Sequence, residues 1–77
     1  MNSKVVYLVL AVLAGEDGYE LERIKFNTIL TCDEIFEATI KFKQLDGRIL
    51  PTYKNRVAFA HYCLDDKGDY YLGYGQS

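Results

Sequence analysis

The residue types that could do chemistry are concentrated in one stretch near the C-terminus, HYCLDDKGDYYLGYG, residues 61–75. It holds the only histidine and one of the two cysteines, next to several aspartates. His61 and Cys63 would share one side of a strand, which suggests a metal site, but zinc needs about four ligands. The sequence has no second Cys/His pair, and turns favour aspartates in any case. We therefore expect no metal and no cofactor here, but a β-hairpin with a polar tip.

A cysteine nucleophile is also poorly supported. Neighbours on one strand face lie about 7 Å apart, beyond the hydrogen-bond reach that a Cys–His pair needs. A pairing of His61 with Cys32 stays open on geometry. Cys32 and Cys63 follow no metal-ligand spacing, so we expect two reduced thiols. Because no glycine-rich phosphate loop precedes a helix either, the sequence predicts a protein that is not an enzyme.

Length and charge exclude several classes of protein. The 77 residues form one domain, residues 1–77, and the net charge of −2 argues against a dedicated nucleic-acid binder. The apolar run at residues 5–14 is shorter than a secretory signal and far shorter than the ~20 residues that span a bilayer. It suits a buried strand, so we expect a cytoplasmic protein without a membrane partner.

The first half of the chain predicts a hairpin followed by a helix. Strands at residues 4–13 and 19–27 flank a GEDG turn in which Gly18 can take a positive φ. The apolar phase of the second strand slips near residues 22–23, which suggests a β-bulge there. The segment TCDEIFEATIKFKQLDG, residues 31–47, predicts a helix with a broad apolar arc, and Phe42 lies near the centre of that arc.

The predicted helix has clear signals at both ends. Thr31 is a good N-cap, and Glu34 completes a capping box three residues later. Gly47 is a natural residue to follow the last helical turn. The next segment, residues 48–56, contains Pro51 and reads as a connection.

A second hairpin completes the predicted fold. Its strands cover residues 56–64 and 70–74, joined by a DDKG turn. The expected fold class is α+β, with the order ββαββ. A four-stranded, mainly antiparallel sheet would then carry the helix on one face.

Two surface features indicate binding. The first strand is apolar on both faces, yet one helix can cover only one face of a sheet, and large exposed apolar patches mark interfaces. We expect a two-fold homodimer or a partner on the uncovered face; alternatively, the segment RILPTY folds across it. The segment 41–56 is basic whereas the turns are acidic, which would steer the protein toward a charged partner.

Interfaces concentrate their binding energy in a few residues, with tyrosine and arginine favoured. The expected partner-binding residues are tyrosines, one arginine and the acids of the last turn: Tyr53, Arg56, Asp65, Asp66, Tyr70 and Tyr74.

In size, element order and lack of catalytic residues, the chain resembles small phage-encoded host-takeover and anti-defence proteins, including several anti-CRISPRs. The resemblance implies a stoichiometric inhibitor that blocks a surface of a protein or ribonucleoprotein complex in the host cytoplasm. The alternative is a nucleic-acid-binding module that uses segment 41–56 and exposed tyrosines. A toxin-neutralising or immunity protein is the third possibility.

Overall fold

Strands β1 (Lys4–Ala14) and β2 (Gly18–Thr28) form a regular antiparallel hairpin in the computed structural model, which describes residues 3–73. The N-terminal apolar run is therefore a strand, as predicted. Eleven facing pairs follow one another without interruption, so the bulge expected at residues 22–23 is wrong. The phase of β2 slips because Tyr19 and Leu21 lie on one face of the sheet while Ile24 and Phe26 lie on the other.

The turn between these strands uses a different glycine from the expected one. Gly15 has φ +67°, a conformation that glycine adopts without steric cost, whereas Gly18 is the first residue of β2 and pairs with Ala14. The positive φ predicted for Gly18 is thus wrong, because the strand begins one residue earlier than its alternation suggests.

Helix α1 (Cys32–Thr39) begins where the sequence predicts. The Thr31 hydroxyl accepts a hydrogen bond from the Glu34 N–H at 3.2 Å, and the Glu34 carboxylate accepts one from the Thr31 N–H at 2.8 Å. This reciprocal pair satisfies two N–H groups that a helix start otherwise leaves unpaired.

The cap supports a direct test. Replacing Thr31 with Ala should lower the free energy of unfolding by about 1 kcal/mol, because the hydroxyl acceptor is lost. Thr31→Ser keeps the acceptor and is the matched control. Urea denaturation of both variants measures the difference; equal midpoints for Thr31→Ala and wild type would contradict the role of the cap.

The helix ends earlier than predicted, and the residues after it form strands. Strands β3 (Lys41–Leu45) and β4 (Arg48–Tyr53) pair antiparallel, so neither a helix to residue 47 nor a connection over 48–56 is correct. Asp46 and Gly47 both have positive φ, which is the type I′ geometry favoured between paired strands. The Asp-Gly turn and the alternation around it outweigh the helical periodicity. Phe42 accordingly lies on a strand and is 58% exposed.

Strand β5 (Arg56–Asp65) completes a five-stranded antiparallel sheet in the order β2-β1-β5-β4-β3. The chain is therefore a small α+β domain of order ββαβββ, with one more strand than expected. Seven pairs join β5 to β1, but only two join it to β4. The β3–β4 hairpin is thus a two-stranded ribbon that is held at one end.

The core lies between the helix and the neighbouring face of the sheet. It consists of even-numbered residues of β1, apolar residues of the helix and β5, and Ile40 directly after the helix; among them are Val6, Leu8, Leu10, Val12, Ile35 and Ala58. No helix within residues 3–73 is long and apolar enough to cross a membrane.

A disulfide between Cys32 and Cys63 ties the first helical residue to β5, with their Cα atoms 5.8 Å apart. Both residues are buried, and the expectation of two reduced thiols is wrong. The two cysteines are 31 residues apart in the chain, so the sequence offered no local signal for their pairing.

The predicted last strand, 70–74, is reduced to one bridge between Leu64 and Tyr70. Tyr71 then turns into the core, where its hydroxyl donates to the Leu30 carbonyl at 2.8 Å. Burial raises the pKa of Tyr71 above its usual value. Tyr74 lies outside the described residues.

Candidate interaction surface

The sheet has one face covered by the helix and one face that no described helix covers, which we call the open face. Facing residues on paired strands point to the same side, so the odd-numbered residues of β1 and their partners on β2 and β5 form this face. Its exposed large apolar residues are Leu13, Tyr19, Leu21, Phe59 and Tyr62.

A β-bulge in β5 shapes the open face. Ala60 faces Ala11 and Ala58 faces Val12, which leaves Phe59 as an extra residue between the two pairs. The Phe59 ring meets the Tyr19 ring edge to face, with centroids 6.0 Å apart, although the two residues belong to strands on opposite sides of β1. The bulge thus joins the two outer strands through an aromatic pair.

The same bulge also changes the phase of β5. Ala58 faces the helix side, so with regular alternation His61 and Cys63 would lie on the open face. Because Phe59 is an extra residue, both instead face the helix side. Cys63 is thereby brought within bonding distance of Cys32. One local irregularity therefore sets both the disulfide and the aromatic pair.

The aromatic pair and its neighbours form one exposed apolar patch on the open face. Tyr19 is 64% and Phe59 53% exposed, and Leu21 and Leu13 beside them are also exposed. Water contact with so many large side chains on one surface is unusual for a soluble domain and is typical of an interaction site.

The charges of β2 are divided between the two faces. Arg23 and Lys25 are the charged residues that β1, β2 and β5 place on the open face, and the Arg23 guanidinium lies 4.4 Å from the Tyr7 ring centroid. Glu20 and Glu22 point to the helix side. The open face is therefore apolar with a cationic border along β2.

Arg56, a predicted contact residue, is engaged inside the domain. Its guanidinium donates to Glu20 at 2.9 Å and to Glu22 at 3.0 Å, across β1. The hydrogen bond to Glu20 has the largest effect on the pKa of Arg56 and that to Glu22 the next largest; both raise it above its usual range. Acidic and basic segments thus meet at this point instead of forming separate poles.

The predicted acidic contact residues lie at the other end of β5. The Asp65 carboxylate accepts hydrogen bonds from the N–H groups of Asp69 at 3.0 Å and Lys67 at 2.9 Å, which lower its pKa. Asp65 therefore stabilises the turn, while Asp66 beside it is exposed. Tyr70 is exposed and meets the Tyr62 ring edge to face at 5.8 Å, so it borders the open face.

The structure does not bring the predicted contact residues together. Tyr53 is half-buried and pairs with Arg56 at the start of β5, whereas Asp65, Asp66 and Tyr70 lie about 30 Å away at its end. Sequence reasoning missed Tyr19 and Phe59. The phase slip of β2 is the available signal for Tyr19, but a β-bulge fits the same slip.

The residues that first suggested chemistry have structural contacts. The His61 ring stacks on Phe36 with centroids 3.9 Å apart, and its Nε2 lies 3.5 Å from Asp33 Oδ1. Within residues 3–73 no group of three or more His, Cys, Asp or Glu side chains is placed to hold a metal ion. Comparison with known proteins finds no matching family model, no matching curated protein and no matching solved structure.

Proposed function

We propose that this protein is a non-catalytic binding module that covers a surface of a partner protein with its open face. The observation that carries the proposal is the group of five large apolar residues exposed around the Tyr19–Phe59 pair. Fully burying a large apolar side chain contributes about 1.5–3 kcal/mol, and because these side chains are already partly buried, each offers roughly half of that. Tyrosine is also enriched among the residues that dominate interface energetics.

The charge of the open face indicates the chemistry of its partner. Arg23 and Lys25 border the open face and favour a partner that places carboxylates opposite them. A second copy of the open face offers no carboxylate from β1, β2 or β5. We therefore infer a different protein, with an apolar patch bordered by acidic residues. The two-fold homodimer stays a prediction that the same experiment tests.

The proposed action is steric and stoichiometric. A face of this kind blocks whatever normally occupies the partner's patch, which fits an inhibitor of a larger protein or ribonucleoprotein complex. Inhibition of a bacterial defence complex by a phage protein stays a prediction. The five-stranded sheet departs from the ββαββ order on which that resemblance partly rested, so the open face is the main support.

The experiment compares two double variants in which the replaced apolar side chains are similarly exposed. Tyr19→Ala with Phe59→Ala removes the aromatic pair, whereas Phe42→Ala with Ile49→Ala removes two exposed apolar side chains of the β3–β4 hairpin. Partners captured by wild-type protein are identified by mass, and the affinity of one purified partner is then measured. We expect the open-face variant to lose at least 30-fold in affinity, about 2 kcal/mol, and the hairpin variant to lose little.

Two outcomes would contradict the proposal: equal affinity of both variants for that partner, or turnover of the partner at catalytic ratios. Sedimentation equilibrium of the wild-type chain alone is the further check. If wild-type protein is a dimer and Tyr19→Ala with Phe59→Ala is a monomer, a second copy of the chain occupies this face.

A further inference from the structure

A groove of about 360 Å³ lies where the end of α1, the β3–β4 hairpin and the β4–β5 turn meet. Three lysines line it, Lys41, Lys43 and Lys54, together with Tyr53 and Asn55. Its volume falls within the range of ligand pockets. We propose that this groove binds the phosphate backbone of a single-stranded nucleic acid, a function separate from that of the open face.

The charge in the groove is not compensated within the described residues. Among residues 3–73, the basic side chains that lie within 4.0 Å of a carboxylate are Arg56 and His61, and none of the three lysines does so. Lys43 instead donates a hydrogen bond to the neutral side chain of Asn55. The C-terminal end of α1 offers about half a negative charge against three positive charges. A bound anion would relieve the repulsion that remains.

The cations continue from the groove along the hairpin. Residues on one strand face alternate, so Lys41 and Lys43 share a side, and Arg48, which faces Leu45, shares it as well. The basic side chains therefore form a track of several charges. A track fits a chain of phosphates better than it fits a single phosphate ion.

The types of residue favour nucleic acid. Lysine binds phosphate as a point charge, whereas arginine adds a paired geometry that fits carboxylate and phosphate alike. The three lysines therefore attract phosphates through their charge. Proteins that bind single strands combine a positive groove with aromatic side chains, and Tyr53 is among the residues that line this groove. The Lys54 ammonium lies 5.4 Å from the centre of the Tyr53 ring, within the range of a cation–π contact.

The test measures binding of a labelled oligouridine by fluorescence anisotropy between about 50 and 200 mM salt. If the three groove lysines and Arg48 each contact one phosphate, the slope of log affinity against log salt should be about −2.8 for a single strand. The variant Lys41→Gln with Lys54→Gln should bind at least about 10-fold more weakly at low salt, with a slope less steep by about 1.4.

The matched control is Lys4→Gln with Lys67→Gln, which changes the net charge equally at positions outside the groove. It should bind the oligouridine nearly as wild type does, and so should Tyr19→Ala with Phe59→Ala. The latter result separates this proposal from that of the open face, because each can fail alone. Melting temperatures of the two lysine variants should match that of wild type, which shows that the fold is kept.

Three results would overturn the proposal. The first is no binding at the lowest salt concentration. The second is an equal loss in the groove and control variants, which would indicate an effect of net charge. The third is competition by polyglutamate as effective as that by unlabelled oligouridine, which would make the groove a general polyanion site.

Discussion

The double variant Cys32→Ala with Cys63→Ala should have a free energy of unfolding about 4 kcal/mol lower than that of wild type. The disulfide closes a loop with a sequence separation of 31, and constraining such a loop in the unfolded chain is worth about 3–4 kcal/mol. Total stabilities are about 5–15 kcal/mol, so this bond accounts for a large part of what holds a domain of 77 residues together.

Urea denaturation with and without a phosphine reductant checks this expectation. Reductant should move wild-type protein to the midpoint of the double variant and should leave the variant itself unchanged. If wild-type protein is insensitive to reductant and alkylation finds two free thiols, the disulfide is absent in solution. Because disulfides are rare in reducing compartments, the same alkylation performed on protein in its native cell also tests the predicted cytoplasmic location.

Replacing Leu10 with Ala should lower the free energy of unfolding by about 3–4 kcal/mol, because it leaves a cavity under the helix. Leu10 is fully buried on β1, between β2 and β5. Phe42→Ala is the contrasting variant. Phe42 is largely exposed on β3, so its removal should cost no more than about 0.5 kcal/mol.

The pair of variants distinguishes two arrangements of residues 41–45. A helix extended through this segment would bury Phe42 in its apolar arc and make Phe42→Ala cost roughly 3–5 kcal/mol. The strand arrangement predicts a near-neutral effect. Thermal or urea denaturation of the two single variants decides between them, and a large loss for Phe42→Ala would contradict the β3–β4 hairpin.

Several features could be predicted because their causes are local. The capping box at Thr31 and Glu34 depends on residues three positions apart, and the structure confirms it. The turn at residues 46–47 was equally local and was still missed. The spacing of apolar residues in 41–45 fits both a helical arc and an alternating strand. The Asp-Gly pair at residues 46–47, which is typical of a hairpin turn, is the signal that favours the strand.

The uncovered sheet face could be predicted from the sequence, whereas its use as a binding site stays a prediction. A first strand that is apolar on both faces favours one uncovered sheet face where one helix packs on the other, and the described residues 3–73 show such a face. Arg56 instead forms ion pairs with Glu20 and Glu22, and Asp65 holds its own turn. The ion pairs of Arg56 join residues more than 30 positions apart in the chain, so local sequence does not predict them.

The sequence by itself determined the α+β class, the first hairpin and the start of the helix, since short-range turn, cap and alternation preferences specify them. Tertiary structure decided the strand order, the Cys32–Cys63 bond and the bulge at Phe59 that sets the phase of β5. These features join residues that are far apart in the chain. They form only where packing between the helix and the sheet offsets the entropy of bringing distant segments together.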